Sequence, residues 1–403
     1  MRRFLCLALA LAACTPEPET ITLQRGVNTT LWIEWPTMGQ LMADPALLDS
    51  FPDVRRDVTP AMYQSLTAQG FDHIRMPVDP GPLLAFGPGE RQDQLIDGIR
   101  IATQTALDGG LKVVVDLHPI PRGTDPGGID RIINEAWPDY VILVGRIATM
   151  LDALPADRVA LELLNEPPFD CDAVYADAPA RWPAMQAEAH AAARAAAPRI
   201  TIVLTGACWG QANALASLDP ALIPDENVLW TFHSYEPFLF THQGASWSDA
   251  PQKYIWDLPY PTSSVTDEIA ASIAAAAVDR MAAAEGQADV ALIEQAIADY
   301  RALPETAVSY DVTRAAEWAD QHGIPRARLY LGEFGALHTD GDRTLPKEWF
   351  HAFLADKRSA AEAAGIPWAV LTYVGGMGIA PADDPERRLD PATCAALGLP
   401  CGK

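Results

Sequence analysis

Basic residues are scarce in this chain. Twenty-nine lysines and arginines stand against 53 aspartates and glutamates, a formal charge of −24 over 403 residues. That balance excludes nucleic acid or an anionic membrane surface as the main partner, because both demand a cationic face. Cysteine is sparse as well, six in all, and no Cys/His spacing resembles a zinc site. A doubly wound nucleotide-binding sheet carries a Gly-rich turn after its first strand. Here the corresponding stretch reads Gly26-Val27-Asn28-Thr29-Thr30, which is no such turn. No internal repeat stands out, and the sequence calls for neither cofactor nor metal. What is present is an apolar content of 49%, ample for a large core.

Only one apolar run resembles a membrane signal, and it is short. Arg2-Arg3 precede Phe4 to Leu11, and the run ends in Ala12-Ala13-Cys14. This is the layout of a signal peptide over residues 1–13, too short to span a bilayer as a mature helix. Leu11-Ala12-Ala13-Cys14 resembles the bacterial lipoprotein processing site, which implies that Cys14 becomes the lipid-bearing first residue. The blander alternative is an ordinary signal with a chance cysteine. Residues 14–24 read as a polar tether, and 25–403 as a single domain. The expectation is an exported protein, lipid-anchored to the cell envelope at its periplasmic face or at the cell surface. Its only membrane contact would be through that lipid, and a monomer is favoured.

With Cys6 removed and Cys14 acylated, Cys171, Cys208, Cys394 and Cys401 remain. An even remainder in an exported chain suggests disulfides. Cys171 and Cys208 each follow an apolar run, so they pair if those runs are neighbouring strands. Cys394 and Cys401 would then close a small C-terminal loop. Of the three possible connectivities this one is favoured.

From Gly26 onward, strand-like apolar runs alternate with Ala-rich helical patterns. The strand candidates are 26–32, 72–77, 112–118, 159–165, 200–205, 228–233, 328–333 and 368–374. Helical patterns cover 60–69, 91–107, 134–151, 180–196, 211–218 and 347–363. Thr59 before Pro60 reads as an N-cap, and Gly70 as the stop of that helix. Eight strands with intervening helices predict an α/β fold, a (β/α)8 TIM barrel. The connection between strands 6 and 7 is unusually long and holds three helical patterns, 266–283, 288–301 and 312–322. It predicts a helical elaboration of the barrel.

Polar residues gather at the predicted carboxyl ends of these strands, where barrel enzymes place their sites. The run Val159–Leu164 ends in Asn165-Glu166 and two prolines, which cannot continue a ladder. A second run, Leu329-Tyr330-Leu331-Gly332, ends in Glu333. Arg75, His118, His233 and Tyr235 occupy other strand ends. Two glutamates at two strand mouths suit a two-carboxylate glycosidase. Sugar faces are flat and apolar, so loop tryptophans are candidate platforms: Trp32, Trp35, Trp137, Trp209 and Trp247. Trp230 and Trp368 lie within strands and read as core.

Six stretches together resemble glycoside hydrolase family 5, the cellulase-like retaining β-glycanases. They are His73-Ile74-Arg75-Met76-Pro77, Asp116-Leu117-His118, Leu164-Asn165-Glu166-Pro167, His233-Ser234-Tyr235, Phe240-Thr241-His242-Gln243-Gly244-Ala245 and Gly332-Glu333-Phe334-Gly335. The resemblance implies Glu166 as acid/base and Glu333 as nucleophile. It implies that Arg75 and Tyr235 hydrogen-bond Glu333 and that Glu166 lies near His233. Asn165 would bind the sugar 2-hydroxyl, and His118 would line the subsite at the cleaved bond. The implied partner is a β-linked glucan or gluco-oligosaccharide, with β-mannan as the close alternative.

One position departs from the family. Its last strand often reads Pro-Trp-Ala-X-Trp, whereas this chain reads Pro367-Trp368-Ala369-Val370-Leu371-Thr372-Tyr373. Leu371 stands where a tryptophan would floor the subsite before the cleaved bond. Either Tyr373 or a loop aromatic replaces it, or the subsite is altered. Leu371 is the one feature that favours a rival reading, a non-hydrolytic carbohydrate-binding lipoprotein on the same barrel.

Overall fold

The computed structural model describes residues 20–29, 35, 38–44, 59–119, 128–176, 180–381 and 387–401. The proposed signal peptide, Cys14 and Trp32 lie outside the described residues. Eight parallel strands close a barrel: β1 (Arg25–Asn28), β2 (His73–Val78), β3 (Lys112–Leu117), β4 (Val159–Glu162), β5 (Thr201–Thr205), β6 (Val228–His233), β7 (Leu329–Glu333) and β8 (Trp368–Val370). Each strand pairs with its neighbours in sequence, and β8 returns to β1. This is the (β/α)8 TIM barrel that the alternation of runs predicts.

Side-chain alternation sorts the strands into two layers. Val113 and Val115 join the large core between strands and helices, while Val114 joins a separate buried cluster. That second cluster takes Ala160, Val203, Leu229, Tyr330 and Ala369 from five other strands, with Ile21 and Leu23 before β1. It fills the barrel's inside, so Ile21 and Leu23 belong to the barrel and not to the tether predicted over 14–24, because both side chains are buried in its interior. Two residues further along, the same inward face carries Asp116, Glu162, Thr205 and Thr231, all buried. The barrel interior therefore changes from apolar to polar toward its carboxyl end. Inward residues near that end belong to the site.

The helices follow their local signals. Pro60–Gln69 is capped by the Thr59 side chain and stopped by Gly70 in the left-handed conformation, φ 105°. The pattern at 134–151 instead splits into Ile129–Asn134 and Trp137–Asp152, because Pro138 is tolerated only in a first turn. In the long connection, Asp267–Glu285, Val290–Ala302 and Tyr310–Gln321 form as helices. Among the described residues, no helix is long and apolar enough to cross a membrane. Disulfides join Cys171 to Cys208 and Cys394 to Cys401, the pairing favoured from sequence.

Three strand ends fall several residues short of expectation, the first being β1, whose ladder stops at Asn28 rather than Trp32. The ladder of β4 stops at Glu162, three residues before Asn165, and that of β8 stops at Val370 rather than Val374. Past β4 the backbone still bonds both neighbours, through Leu163 N to Val203 O (3.3 Å) and Asn165 N to Leu117 O (2.9 Å). Past β8 the chain turns over β1, where Tyr373 N and the Thr372 hydroxyl both donate to Asn28 O at 3.0 Å.

Candidate active site

Both glutamates reach the barrel mouth through breaks in strand alternation. In β7, Tyr330 faces inward, so strict alternation would turn Glu333 outward. The β6–β7 register prevents this: Phe232 pairs with Leu331, but His233 pairs with Glu333. Gly332 is the extra residue of a bulge, which re-aims the side chain after it. A Cβ at Gly332 would lie 2.6 Å from Thr231 Oγ1, so only glycine fits. Just past β4, Leu163 and Leu164 both pack in the outer core, which brings Asn165 back inward. Glu166 then has φ +42°, a left-handed conformation uncommon for a residue with a side chain.

Arg75 is the hub of the polar layer and is fully buried. Its Nε and Nη2 donate to the two oxygens of Glu162 at 2.8 Å, and Nη2 also lies 2.9 Å from Asp116 Oδ2. Nη1 donates to Glu333 Oε1 at 2.5 Å and to Asn28 Oδ1 at 3.0 Å. Asn165 Oδ1 accepts from Nη2 at 2.8 Å, and its Nδ2 lies 3.1 Å from His118 Nε2. His118 Nδ1 lies 2.7 Å from Asp116 Oδ2. Asn165 and His118 are thus oriented from below.

The surroundings of the two glutamates differ. Glu333 is buried; its Oε2 accepts from the Tyr235 hydroxyl at 2.6 Å and lies 3.5 Å from His233 Nδ1. Burial alone would raise its pKa, but His233, Arg75, His118 and Tyr235 outweigh that and lower it to about 2. Glu166 keeps 27% of its side chain exposed and lines the cleft, with Oε1 at 2.7 Å from His233 Nδ1. Carboxylate oxygens of Glu166 and Glu333 lie within 4.8 Å of each other. That is the short spacing of a nucleophile and acid pair, too close for an inverting enzyme's intervening water.

Among the described residues, Glu166, His233 and Glu333 also form a group that could hold a metal ion. The Arg75 guanidinium already neutralises Glu333 at 2.5 Å, and a second cation there would meet that charge. The donor set suits proton transfer better.

The structure brings Arg75, His118, Asn165, His233 and Tyr235 around the two glutamates. Trp209 and Trp247 are 48% and 65% exposed and line the cleft. The Trp209 loop is tied to the Glu166 loop by the Cys171–Cys208 disulfide and by bonds from Cys208 N to Phe169 O and Trp209 N to Pro167 O. Trp35 is buried beside the carboxyl end of β2, where its indole N–H donates to Asp79 O at 3.0 Å, and it is not among the residues that line the cleft. Trp137 is core, bonded to Glu188 and stacked on Tyr140. Tyr373 is also buried, with its hydroxyl donating to Arg387 O, so it does not supply the missing platform. Leu371 is half-buried just past β8; its N donates to Phe334 O at 2.8 Å, and its carbonyl is packed where a Cβ of Gly335 would stand.

Asn28, Asp116 and Glu162 were not singled out by sequence reasoning as site residues. Their signal was there: a charged or amide side chain at an inward position of an otherwise apolar strand. Tyr175 and Tyr310 line the cleft and donate to Gln211 and Asn213; Tyr175 lies on the short helix Cys171–Ala176, outside any pattern read from the sequence, and Tyr310 begins a helix predicted only from 312. The cleft of about 1180 Å³ runs from Glu166 over the loops after β4, β5 and β6 to residues 303–313 of the long connection.

The cellulase family, described as glycosyl hydrolase family 5, matches residues 48–373. Endoglucanase 3 of Fibrobacter succinogenes is 24% identical over 379 residues, covering 89% of this chain and 50% of that protein. Endoglucanase C of Acetivibrio thermocellus is 26% identical over 208 residues, covering 51% of this chain and 58% of the relative. The chain thus spans about half the length of these relatives. The endoglucanase Cel5A structure from Thermotoga maritima superposes with a TM-score of 0.62 at 21% identity, covering 93% of this chain and 96% of that one. With the matched segment spanning most of the barrel, this chain belongs to glycosyl hydrolase family 5, the cellulase family.

Proposed function

We propose that the protein is a retaining glycoside hydrolase that cleaves β-linked glucan or its oligosaccharides. The observation that carries this reading is the Glu166–Glu333 pair, within 4.8 Å and in opposite surroundings. Glu333, kept ionised by His233, Arg75, His118 and Tyr235, attacks the anomeric carbon. Glu166 gives its proton to the leaving oxygen, and a covalent glycosyl-enzyme forms. Glu166 then takes a proton from water, which displaces Glu333 from the opposite face and restores the original anomer. Asn165, held between Arg75 and His118, binds the 2-hydroxyl of the reacting sugar in this reading.

The cleft opens on the side of the acid, where the leaving group departs. Its 1180 Å³ exceeds the usual small-molecule site of about 300–1,000 Å³. Exposed Trp209 and Trp247 supply stacking surfaces along it. These features favour a chain of sugars over a single glycoside.

The test is reducing-sugar release on β-1,4-glucan, mixed-linkage glucan, β-1,3-glucan and β-mannan, with Glu333→Gln in parallel. Release by the wild type alone is expected, and the active substrate names the linkage. Silence across the panel, with oligosaccharide binding retained, would replace this reading with the non-hydrolytic carbohydrate-binding lipoprotein.

We also propose that the protein is exported and anchored through a lipid on Cys14, as the Leu11–Cys14 stretch suggests. Cys14→Ser is expected to move the protein from the membrane to the soluble fraction of an expressing bacterium. A variant that still sediments with membranes would overturn the anchor.

A further inference from the structure

Among the lysines and arginines described as buried, Arg75 and Lys357, only Lys357 has no task in the proposed mechanism. Lys357, on the helix Lys347–Ala363, is fully buried and has no carboxylate within ion-pair distance among the described residues. Its ammonium donates instead to two neutral acceptors, Ser234 Oγ at 2.6 Å and the Glu236 carbonyl at 2.9 Å. The Phe353 ring lies 5.8 Å away. Ser234 in turn donates to Asp311 Oδ2 at 2.8 Å, in the first turn of the helix Tyr310–Gln321. Taking an ammonium out of water costs several kcal/mol, and an apolar side chain of similar length would fill such a site at less cost. Packing therefore does not account for a lysine here.

The two acceptors flank Tyr235, the residue whose hydroxyl holds Glu333 at 2.6 Å. We propose that Lys357 is a positioning residue for the nucleophile: by gripping Ser234 and Glu236 it fixes the backbone from which Tyr235 reaches Glu333. The proposal rests on the glycosidase reading for its kinetic consequence, but its geometry stands alone. Three other bonds lock the same segment. Ser234 N donates to Glu333 O at 3.0 Å, Thr241 Oγ1 donates to Tyr235 O at 2.7 Å, and His233 N donates to Gly210 O at 2.8 Å. Lys357 ties the segment to the helix Lys347–Ala363, and the Ser234–Asp311 bond extends that tie to the cleft wall, which Asp311 lines. Burial lowers the Lys357 pKa to about 8, with Asp311 and Glu236 pulling it back up.

A double-mutant cycle tests this. Lys357→Met is expected to lower kcat about tenfold with KM within about twofold, and to lose this effect in a Tyr235→Phe background. Equal effects in both backgrounds, or an unchanged kcat in the folded single variant, would overturn the proposal. Should Lys357→Met not fold, Ser234→Ala is run through the same cycle with the same expectation. A second readout needs no turnover: 3-fluorotyrosine placed at Tyr235 should shift or broaden its fluorine resonance in Lys357→Met. The same label at Tyr140, on the helix Trp137–Asp152, should not. An unmoved Tyr235 resonance overturns the proposal even if no substrate is turned over, while an inactive wild type would count against the glycosidase reading alone.

Discussion

Glu333→Ala loses turnover of the active glucan by on the order of 10⁴-fold or more, and added azide or formate restores part of it with an inverted product anomer. The reason lies in the two steps. Without the carboxylate no covalent intermediate forms, and Glu166 acting alone protonates a leaving group that nothing displaces. A small anion seated in the vacated space attacks the same face of the anomeric carbon as Glu333 did. No second displacement follows, so the configuration inverts once. The anomer is read by proton NMR of the first-formed product. Absence of rescue, or rescue with retention, would remove Glu333 from the nucleophile's role.

Arg75→Met is expected to destabilise the protein by about 3–5 kcal/mol, measured by urea denaturation near neutral pH. Arg75 touches Asp116, Glu162 and Glu333, all buried and all acidic. Burial raises the Glu162 pKa, Arg75 lowers it and Asp116 raises it, with a net rise that removal of Arg75 would enlarge. Glu333 moves the same way. Its folded pKa of about 2 lies below the ordinary 4.5, so its ionisation stabilises the fold above pH 4.5. That contribution fades as pH falls from 4.5 toward 2. With Arg75 gone, His233, His118 and Tyr235 still lower the pKa, but less. The acid limb of activity is then expected to move upward by about one pH unit. A variant within about 1 kcal/mol of wild type, with an unmoved acid limb, would show that the network is not held by Arg75.

How much of this was readable beforehand differs between fold and site. The barrel was legible because apolar runs in a buried parallel sheet need no tertiary knowledge to be found. The helix at 60–69 was legible because Thr59, Pro60 and Gly70 act locally. The disulfides were legible once strands 4 and 5 were taken as neighbours. The strand ends were harder, because a ladder stops where its partner stops, and the partner is distant in sequence. The tryptophans were hardest. Trp35 looks no different in sequence from Trp209 and Trp247, and Trp137 begins a helix, yet Trp35 and Trp137 are buried while the other two line the cleft.

The sequence by itself determined the barrel, the rim residues and the presence of two glutamates at strand mouths, since each depends on composition and short-range pattern. Only the tertiary structure decided that both glutamates face one point. Strict alternation would have turned Glu333 away from the barrel axis. The bulge at Gly332, where the register slips by one residue between β6 and β7, turns it inward. The same holds for Arg75, an ordinary arginine in a strand until Asp116, Glu162 and Glu333 converge on it from three other strands. Convergence of that kind is set by barrel closure, which no local stretch of sequence encodes.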